Sequence, residues 1–269
     1  MNATASPELL QDRRFSLGEI RLDALSLHDL LSVYNDAISG GKQIIILHHN
    51  LHGIYMQRTT PSLHAIYARA SWVYVDGLPV IWLARAAGFP FKAEHRITLL
   101  DSFGELLAEA ERKNWRIFYF GGKEEVLVGG LAKIRELHPS LQITGRNGYA
   151  RPDETASIIQ DITTFKPDVL FIGLGMPLQE NWIRDHYSQL KVPVVTTSGA
   201  TMEYITGHSS RPPAWAGRFG LYGVMRFLAQ PRRLWRRYLL EPLVLAPYLL
   251  KVVVQQKLST ARLNRSRRS

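Results

Sequence analysis

Cysteine does not occur among the 269 residues, which excludes disulfide bonds and thiolate metal sites. The start, MNATASPELLQDRRF, has no apolar run behind a basic end, so no secretory signal is expected and the cytoplasm is the default location. Internal repeats and low-complexity segments are lacking too. No unbroken apolar stretch approaches the roughly 20 residues that a membrane-spanning helix needs. The nearest, Tyr238–Val254 (YLLEPLVLAPYLLKVVV), is interrupted by Glu241, Pro242, Pro247 and Lys251. Acid is scarcest at the C-terminus: residues 211–269 carry thirteen Lys or Arg and one acid, Glu241, a net of +12. Since the whole chain is +10, residues 1–210 come to −2. A near-neutral body with a basic, apolar tail points to an anionic partner.

What is present fits a globular body. Hydrophobic residues make up 46% and charged residues 21%, enough to bury a sizeable core. Short runs rich in Ile, Val, Leu and Phe are expected as strands at 43–49, 72–75, 116–120, 141–144, 169–173 and 193–197. Several are apolar throughout, as suits strands covered on both faces of a parallel sheet. Helical windows alternate with them near 27–39, 61–70, 78–87, 100–113, 124–138, 152–165 and 178–190. That alternation predicts an α/β fold, a mostly parallel sheet with helices on both faces. Residues 1–210 are expected as the body, 211–258 as a helical appendage and 259–269 as an unstructured basic tail. In the appendage, Leu, Val and Tyr suit a lipid boundary while Arg and Lys suit anionic headgroups, which predicts a helix lying in the membrane surface; the alternative is a C-terminal helix that packs its apolar face on the body.

In sheets of this kind ligands bind beyond the carboxyl ends of the strands. Those ends carry His48-His49-Asn50, Asp76-Gly77, Gly121-Gly122, Gly145 to Gly148, Gly173-Leu174-Gly175 and Ser198-Gly199-Ala200-Thr201. Glycines gathered at one sheet edge and feeding helix N-termini favour a nucleotide or phosphate ligand. The spacing is not that of a P-loop, and the third glycine of a dinucleotide fingerprint is missing, so NAD is not expected. Asp76, directly after WVYV, stands where a carboxylate can take a proton from a substrate hydroxyl, although an Asx-turn or helix cap would use the same residue. Arg96 and Asp101 are either a helix-entry pair or crevice residues. Gln179 either hydrogen-bonds a ligand or sits exposed in a first turn. Arg226, Arg233 and Arg236 fall seven and three apart, which on a continuous helix at about 100° per residue puts the first two about 20° apart and the third about 80° from Arg226. Guanidiniums converging in this way suit a diphosphate. Pro231 makes the shared face approximate, and Arg232 and Arg237 fall on other faces, where they are expected to meet solvent or lipid headgroups. The nine histidines show no metal-ligand spacing, so neither metal nor cofactor is expected.

The blocks YVDGLPVIW, RITLLD, PDVLFIGLGMPLQENWI, GATMEYITGHSSRPPAW and FGLYGVMRFLAQPRRLWRRYL resemble, in order, those of the WecG/TagA/CpsF glycosyltransferases, from about Ile44 to Tyr238. The resemblance implies a Rossmann-like body and a C-terminal appendage that completes the active site. It implies inverting, metal-independent transfer from a UDP-sugar to a polyprenyl-diphosphate-linked sugar by a peripheral enzyme on the cytoplasmic face of the inner membrane. Asp76 would be the general base. Arg96 and Gln179 would be pocket residues, and Arg226, Arg233 and Arg236 would grip the nucleotide diphosphate. His48 and Asn50 would also contact substrate, in a segment where the family often reads T-x-N and this chain reads HHN. Further departures are Leu99 for Gly, Leu178 for Lys, Glu203 for Asp, and Tyr222-Gly223 for a Glu-Trp pair. The segment HHNLHGIYMQ looks more like the GumM-like branch serving xanthan- and acetan-type polysaccharides, which implies β-1,4 transfer of glucose from UDP-glucose in exopolysaccharide biosynthesis. The alternative is N-acetylmannosamine (or its uronate) onto lipid-linked N-acetylglucosamine. No nucleic acid is expected as partner, and oligomeric state is open. The rivals from other classes are a nucleic-acid-binding protein with a phosphate-tracking tail, and a nucleotide-sugar sensor.

Overall fold

The computed structural model describes residue 10 and residues 12–149 and 151–266. Its centre is a six-stranded sheet formed by β3 (Ile44–His49), β4 (Trp72–Val75), β5 (Ile117–Gly121), β6 (Ile143–Arg146), β7 (Val169–Gly173) and β8 (Val194–Thr197), in the order β4-β3-β8-β7-β5-β6. Every pairing is parallel. Side chains alternate between the faces of each strand, so Ile46, Tyr74, Tyr119 and Phe171 enter one core while Ile45, Leu47, Phe118 and Leu170 enter the other. The first core is closed by α1 (Leu27–Ser39), α5 (Leu99–Arg112), α6 (Glu124–Leu137) and α9 (Thr201–Thr206). The second is closed by α3 (Pro61–Arg69), α7 (Thr155–Phe165) and α8 (Leu178–His186). This is the α/β architecture expected from the alternating pattern.

Two elements were not expected. Ahead of the sheet, β1 (Arg14–Leu17) and β2 (Ile20–Asp23) form an antiparallel hairpin. The hairpin covers the outer edge of β4: Val73 N donates to Asp23 Oδ2 at 2.6 Å, Arg14 Nη2 to Ser71 O and Arg21 Nη2 to Ala70 O at 2.6 Å. Asp23 is fully buried and ion-paired to Arg14 at 2.8 Å. A sheet edge that would otherwise offer free backbone groups is thereby occupied. The second is α2 (Leu51–Thr59), which begins in the HHN segment and is capped by Asn50.

After β8 and α9 the chain leaves the body through α10 (Ala214–Arg218), α11 (Tyr222–Ala229) and α12 (Pro231–Trp235), passes a π-helical turn at Arg236–Leu240, and ends in α13 (Glu241–Ser266). Two expectations are corrected here. Pro231–Arg262 is a continuous helical stretch with a window of mean hydropathy 1.4, long and apolar enough to cross a membrane by length and composition. The segment from residue 259, expected to be unstructured, continues this helix to Ser266; residues 267–269 lie outside the described residues. Proline and charge misled because they interrupt the apolar run without ending the helix: Pro242 and Pro247 both lie within the continuous stretch, and Glu241 has a partner on the body (below). One face of α13 packs on the body. Leu245 and Val252 are buried, Tyr248 and Leu249 join them against the hairpin and α4 (Leu78–Ala86), and the Arg58 guanidinium lies 3.3 Å from the Tyr248 ring centroid. The opposite face leaves Leu243, Val244, Leu250, Val254 and Leu258 exposed.

Candidate active site

The strand ends meet at the β4-β3-β8 edge. Asp76 follows β4, and its N–H donates to His49 O at 2.8 Å, which extends the ladder and fixes the carboxylate at the rim. Its Oδ2 lies 3.9 Å from His48 Nε2, an ion-pair distance too long for a hydrogen bond. Among the described residues no side chain donates to the Asp76 carboxylate, which is about a quarter exposed. His48 is set from behind: its Nδ1 is 3.2 Å from the Thr197 hydroxyl, and its ring lies 5.4 Å from that of Tyr74. Burial pushes the His48 pKa down, with Asp76 opposing and Arg237 reinforcing the shift. The result is a neutral imidazole beside a carboxylate with open lone pairs. Asn50, expected to contact substrate, uses Oδ1 to accept from Gly53 N at 3.0 Å as the N-cap of α2. Asn50 nevertheless lies at this rim, because a Cβ added to Gly77 would meet the Asn50 Cβ at 3.6 Å.

Asp101, in the first turn of α5, gathers the next group. It accepts from Arg96 Nη2 at 3.2 Å, Arg211 Nη2 at 3.3 Å and the Tyr222 hydroxyl at 2.6 Å. Arg96 also stands 5.7 Å from the Tyr222 ring centroid. Its backbone bridges Val75, with Ile97 N donating to Val75 O at 2.8 Å, so Arg96 is held beside Asp76. Arg96 and Asp101 are therefore an ion pair at the entry of α5.

Gln179 is neither exposed nor free. It is buried, its Oε1 accepts from Gly199 N at 3.2 Å and its Nε2 donates to Glu180 Oε1 at 2.8 Å. Its amide therefore braces the turn after β8. Glu180, which drew no attention as a residue of its own, is fully buried, and burial pushes its pKa up to about 7, against the hydrogen bond from Gln179. At the neighbouring strand ends Gly121 has φ +154°, and a Cβ there would overlap the Gly173 backbone, so this approach of the two turns requires glycine at 121.

The appendage folds over this edge. Arg226, Arg233 and Arg211 line a cleft of about 270 Å³ together with Glu203, Tyr204 and Ser209. Arg226 stands 5.8 Å from the Tyr204 ring centroid, and Arg233, exposed, donates to Gln230 Oε1 at 3.1 Å. Arg236 does not join them: it is exposed and lies over Trp235 at 5.4 Å. Arg237, expected to face solvent or lipid, is half-buried and lies over the Tyr238 ring at 5.9 Å. Burial lowers its pKa, Tyr238 opposes, Arg226 reinforces, and Glu241 and Asp76 oppose. The π turn accounts for the departure of Arg236, since it inserts about one extra residue per turn and rotates the face that a uniform helix would present. Residue spacing alone could not have shown this. His52 was missed as well: its Nδ1 lies 2.6 Å from Glu241 Oε2. The available signal was that Glu241 is the single acid of the tail.

Among the described residues no group of three or more His, Asp or Glu is arranged to hold a metal ion. The cleft that Arg211, Arg226 and Arg233 line does not include Asp76 or His48, which stand at the strand ends. Comparison with known proteins gives the family. The sequence profile of the Glycosyl transferase WecG/TagA/CpsF family matches residues 15–262, nearly the whole chain. The chain belongs to this family.

The match spans the appendage as well as the body, so α10–α13 are part of the shared architecture. Among curated relatives, the N-acetylglucosaminyldiphosphoundecaprenol N-acetyl-beta-D-mannosaminyltransferase of Bacillus subtilis (strain 168) is 30% identical over 193 residues, 71% of this chain and 72% of that one. The protein of the same name from Bacillus spizizenii (strain ATCC 23059 / NRRL B-14472 / W23) is 28% identical over 183 residues, 68% and 69% of the two chains. This family member is a glycosyltransferase, and its relatives carry a sugar onto a lipid-linked sugar.

Proposed function

We propose that the protein is an inverting transferase that moves a sugar from a UDP-sugar to a polyprenyl-diphosphate-linked sugar, working as a peripheral enzyme on the cytoplasmic face of the membrane. The observation that supports it most is the Asp76 carboxylate, open at the strand end beside neutral His48, with the appendage joined to the same edge through Tyr222–Asp101 and Glu241–His52. Asp76 takes the proton of the acceptor hydroxyl as that oxygen attacks the anomeric carbon from the face opposite UDP. One C–O bond forms as the sugar–phosphate C–O bond breaks, and the electron pair leaves on the diphosphate. Arg226, with Arg211 and Arg233, offsets the growing negative charge. Confinement of both the lipid acceptor and the enzyme to the bilayer surface raises their effective concentration.

For the sugars, the relatives favour N-acetylmannosamine as the transferred group and N-acetylglucosamine-diphosphate-undecaprenol as the acceptor. Glucose transfer in an exopolysaccharide pathway, the reading drawn from HHNLHGIYMQ, has no support from them and stands second. One departure, His48 for Thr, does stand at the crevice, 3.9 Å from Asp76. The discriminating experiment incubates the enzyme with UDP-N-acetylmannosamine or UDP-glucose and polyprenyl-diphosphate-N-acetylglucosamine or -glucose, reading UDP release and lipid product. Release with the first donor and N-acetylglucosamine acceptor is expected. Product only with UDP-glucose would reverse the order of the two readings, and none under any pairing would favour a nucleotide-sugar sensor.

A further inference from the structure

Alternation along β3 sends the His48 side chain towards Asp76 and that of His49 to the opposite face of the sheet. On that face, beneath the β1–β2 hairpin and beside α2 and α3, lies a cavity of about 220 Å³. His49, Gln57, Tyr67 and Val73 are its buried lining, and Glu19 and Ala68 on its border are exposed. His49 is fully buried and Gln57 is 5% exposed. Yet neither imidazole nitrogen of His49, nor Gln57 Oε1, nor Nε of Arg21, also on the lining, has a hydrogen-bond partner among the described residues. Arg21 Nε stands 3.6 Å from Asp23 Oδ2, an ion-pair distance beyond hydrogen-bond reach. Buried polar atoms are normally paired, and one left unpaired is costly. Four of them gathered on one small cavity make a site for a polar occupant. Turning one imidazole N–H to Gln57 Oε1 would still leave the other ring nitrogen and Arg21 Nε to be met.

The lining selects the chemistry of that occupant. Arg21 Nε and one imidazole nitrogen donate, while the second imidazole nitrogen and Gln57 Oε1 accept. A carboxylate or phosphate only accepts and would face Gln57 Oε1; an ammonium only donates and would face Arg21. Charge is offset locally, Arg21 by Asp23 at 3.6 Å and Glu19 by Arg58 at 3.9 Å. A hydroxyl both donates and accepts and carries no charge. Pockets for drug-sized ligands run from about 300 to 1,000 Å³, so this one takes something smaller, with Val73, Ala68 and Tyr67 as apolar wall for ring carbons. We infer that the cavity is a binding site for a neutral, hydroxyl-rich molecule the size of one pyranose, separate from the transfer crevice. The two sites meet only through backbone: Asp76 N donates to His49 O at 2.8 Å, and the Tyr67 hydroxyl to His48 O at 2.9 Å. A ligand seated against His49 and Tyr67 therefore bears on the strand end that holds Asp76. No step of the proposed transfer uses this site, and its binding is read without donor sugar or lipid acceptor.

The test is saturation-transfer NMR on the full-length protein in lipid nanodiscs, with excess UDP present throughout. Glucose, N-acetylglucosamine and inorganic phosphate are titrated against wild type, Gln57→Leu and Ala68→Trp. Wild type is expected to bind at least one of the two sugars saturably at millimolar concentration and to leave phosphate unbound. Ala68→Trp, which closes the border from an exposed helical position without touching an orphaned atom, should abolish the sugar signal. Gln57→Leu keeps the shape and removes the acceptor, and should weaken binding about tenfold, the size of one hydrogen bond lost from a buried partner. Thermal melts show which variants keep the wild-type fold; should one be destabilised, the other decides. No saturable sugar binding by wild type overturns the inference and leaves the four atoms to ordered water. Sugar binding that survives both variants also overturns it, since the sugar then sits elsewhere, and a preference for phosphate overturns the neutral class of ligand.

Discussion

The Tyr222 hydroxyl donates to Asp101 Oδ1 at 2.6 Å, joining the appendage to the entry of α5. Burial and then the Asp101 contact push the Tyr222 pKa up to about 12, so it remains a donor across the working pH range. A hydrogen bond to a charged acceptor contributes about 1.5–3 kcal/mol. Tyr222→Phe should loosen the appendage at this rim, raising the donor KM several-fold with a smaller change in kcat. A variant with unaltered donor KM would show that the contact does not hold the appendage in register.

Glu180 gives an unusual pH signature. Its folded pKa of about 7 lies above the ordinary 4.5, so the buried acid favours the protonated form. Its stabilising effect is fully present below pH 4.5 and is lost as pH rises through about 7. Glu180→Gln removes that loss and should be more stable than wild type at pH 8.5, by about 3 kcal/mol at most, with little difference at pH 4.5. Urea melts at the two pH values check it; an equal effect at both would contradict a neutral buried carboxyl.

His49 acts in the opposite sense. It is fully buried, stacked on Tyr67 at 4.3 Å, and burial takes its pKa down to about 3, with His48 and Arg21 reinforcing. Between about 6.5 and 3 the unfolded chain binds a proton that the folded one refuses, so stability falls as pH drops through that window. His48, His52 and His95 are lowered as well and add to the same slope. His49→Phe should make the decline between pH 6 and 4 shallower by about 1 kcal/mol per pH unit. An unchanged slope in denaturation melts would show that His49 is charged in the fold.

The exposed face of α13 sets the partner of the tail. Leu243, Val244 and Leu250 stand out to solvent beside a basic run, an arrangement for the lipid interface. Vesicles with anionic lipid should co-sediment the protein in preference to an oligonucleotide, and Leu243→Asp with Leu250→Asp should abolish vesicle binding while UDP binding persists. Preference for the oligonucleotide, falling steeply with salt, would favour a nucleic-acid partner.

Much of the fold is legible in the residues because the sheet is buried on both faces. Runs such as VLFIG at Val169–Gly173 and WVYV at Trp72–Val75 read as strands buried on both faces, and both occupy the expected ranges. The hairpin Arg14–Asp23 was hidden because its strands are four residues long and carry Arg and Asp, whose pairing with the β4 edge is a tertiary matter. Helix α2 was hidden by His52 and Gly53 in its first turn, which weaken the apolar stripe. At the site, the place of Asp76 could be read from its position after a strand, and the Arg96–Asp101 pair from its position at a helix entry. Gln179 could not, because its burial is decided by a contact with Gly199 twenty residues on. The appendage arginines show the limit of helical spacing: the π turn at Arg236–Leu240 leaves Arg236 outside the cleft that Arg226 and Arg233 line.

The role of Asp76 as proton acceptor is tested most directly by single-turnover transfer with Asp76→Asn, alongside calorimetric UDP binding by the same variant. A general base contributes about 10²–10⁴-fold, so transfer should fall by at least about a hundredfold while UDP affinity stays near wild type. Near-normal transfer by Asp76→Asn would contradict the proposed chemistry.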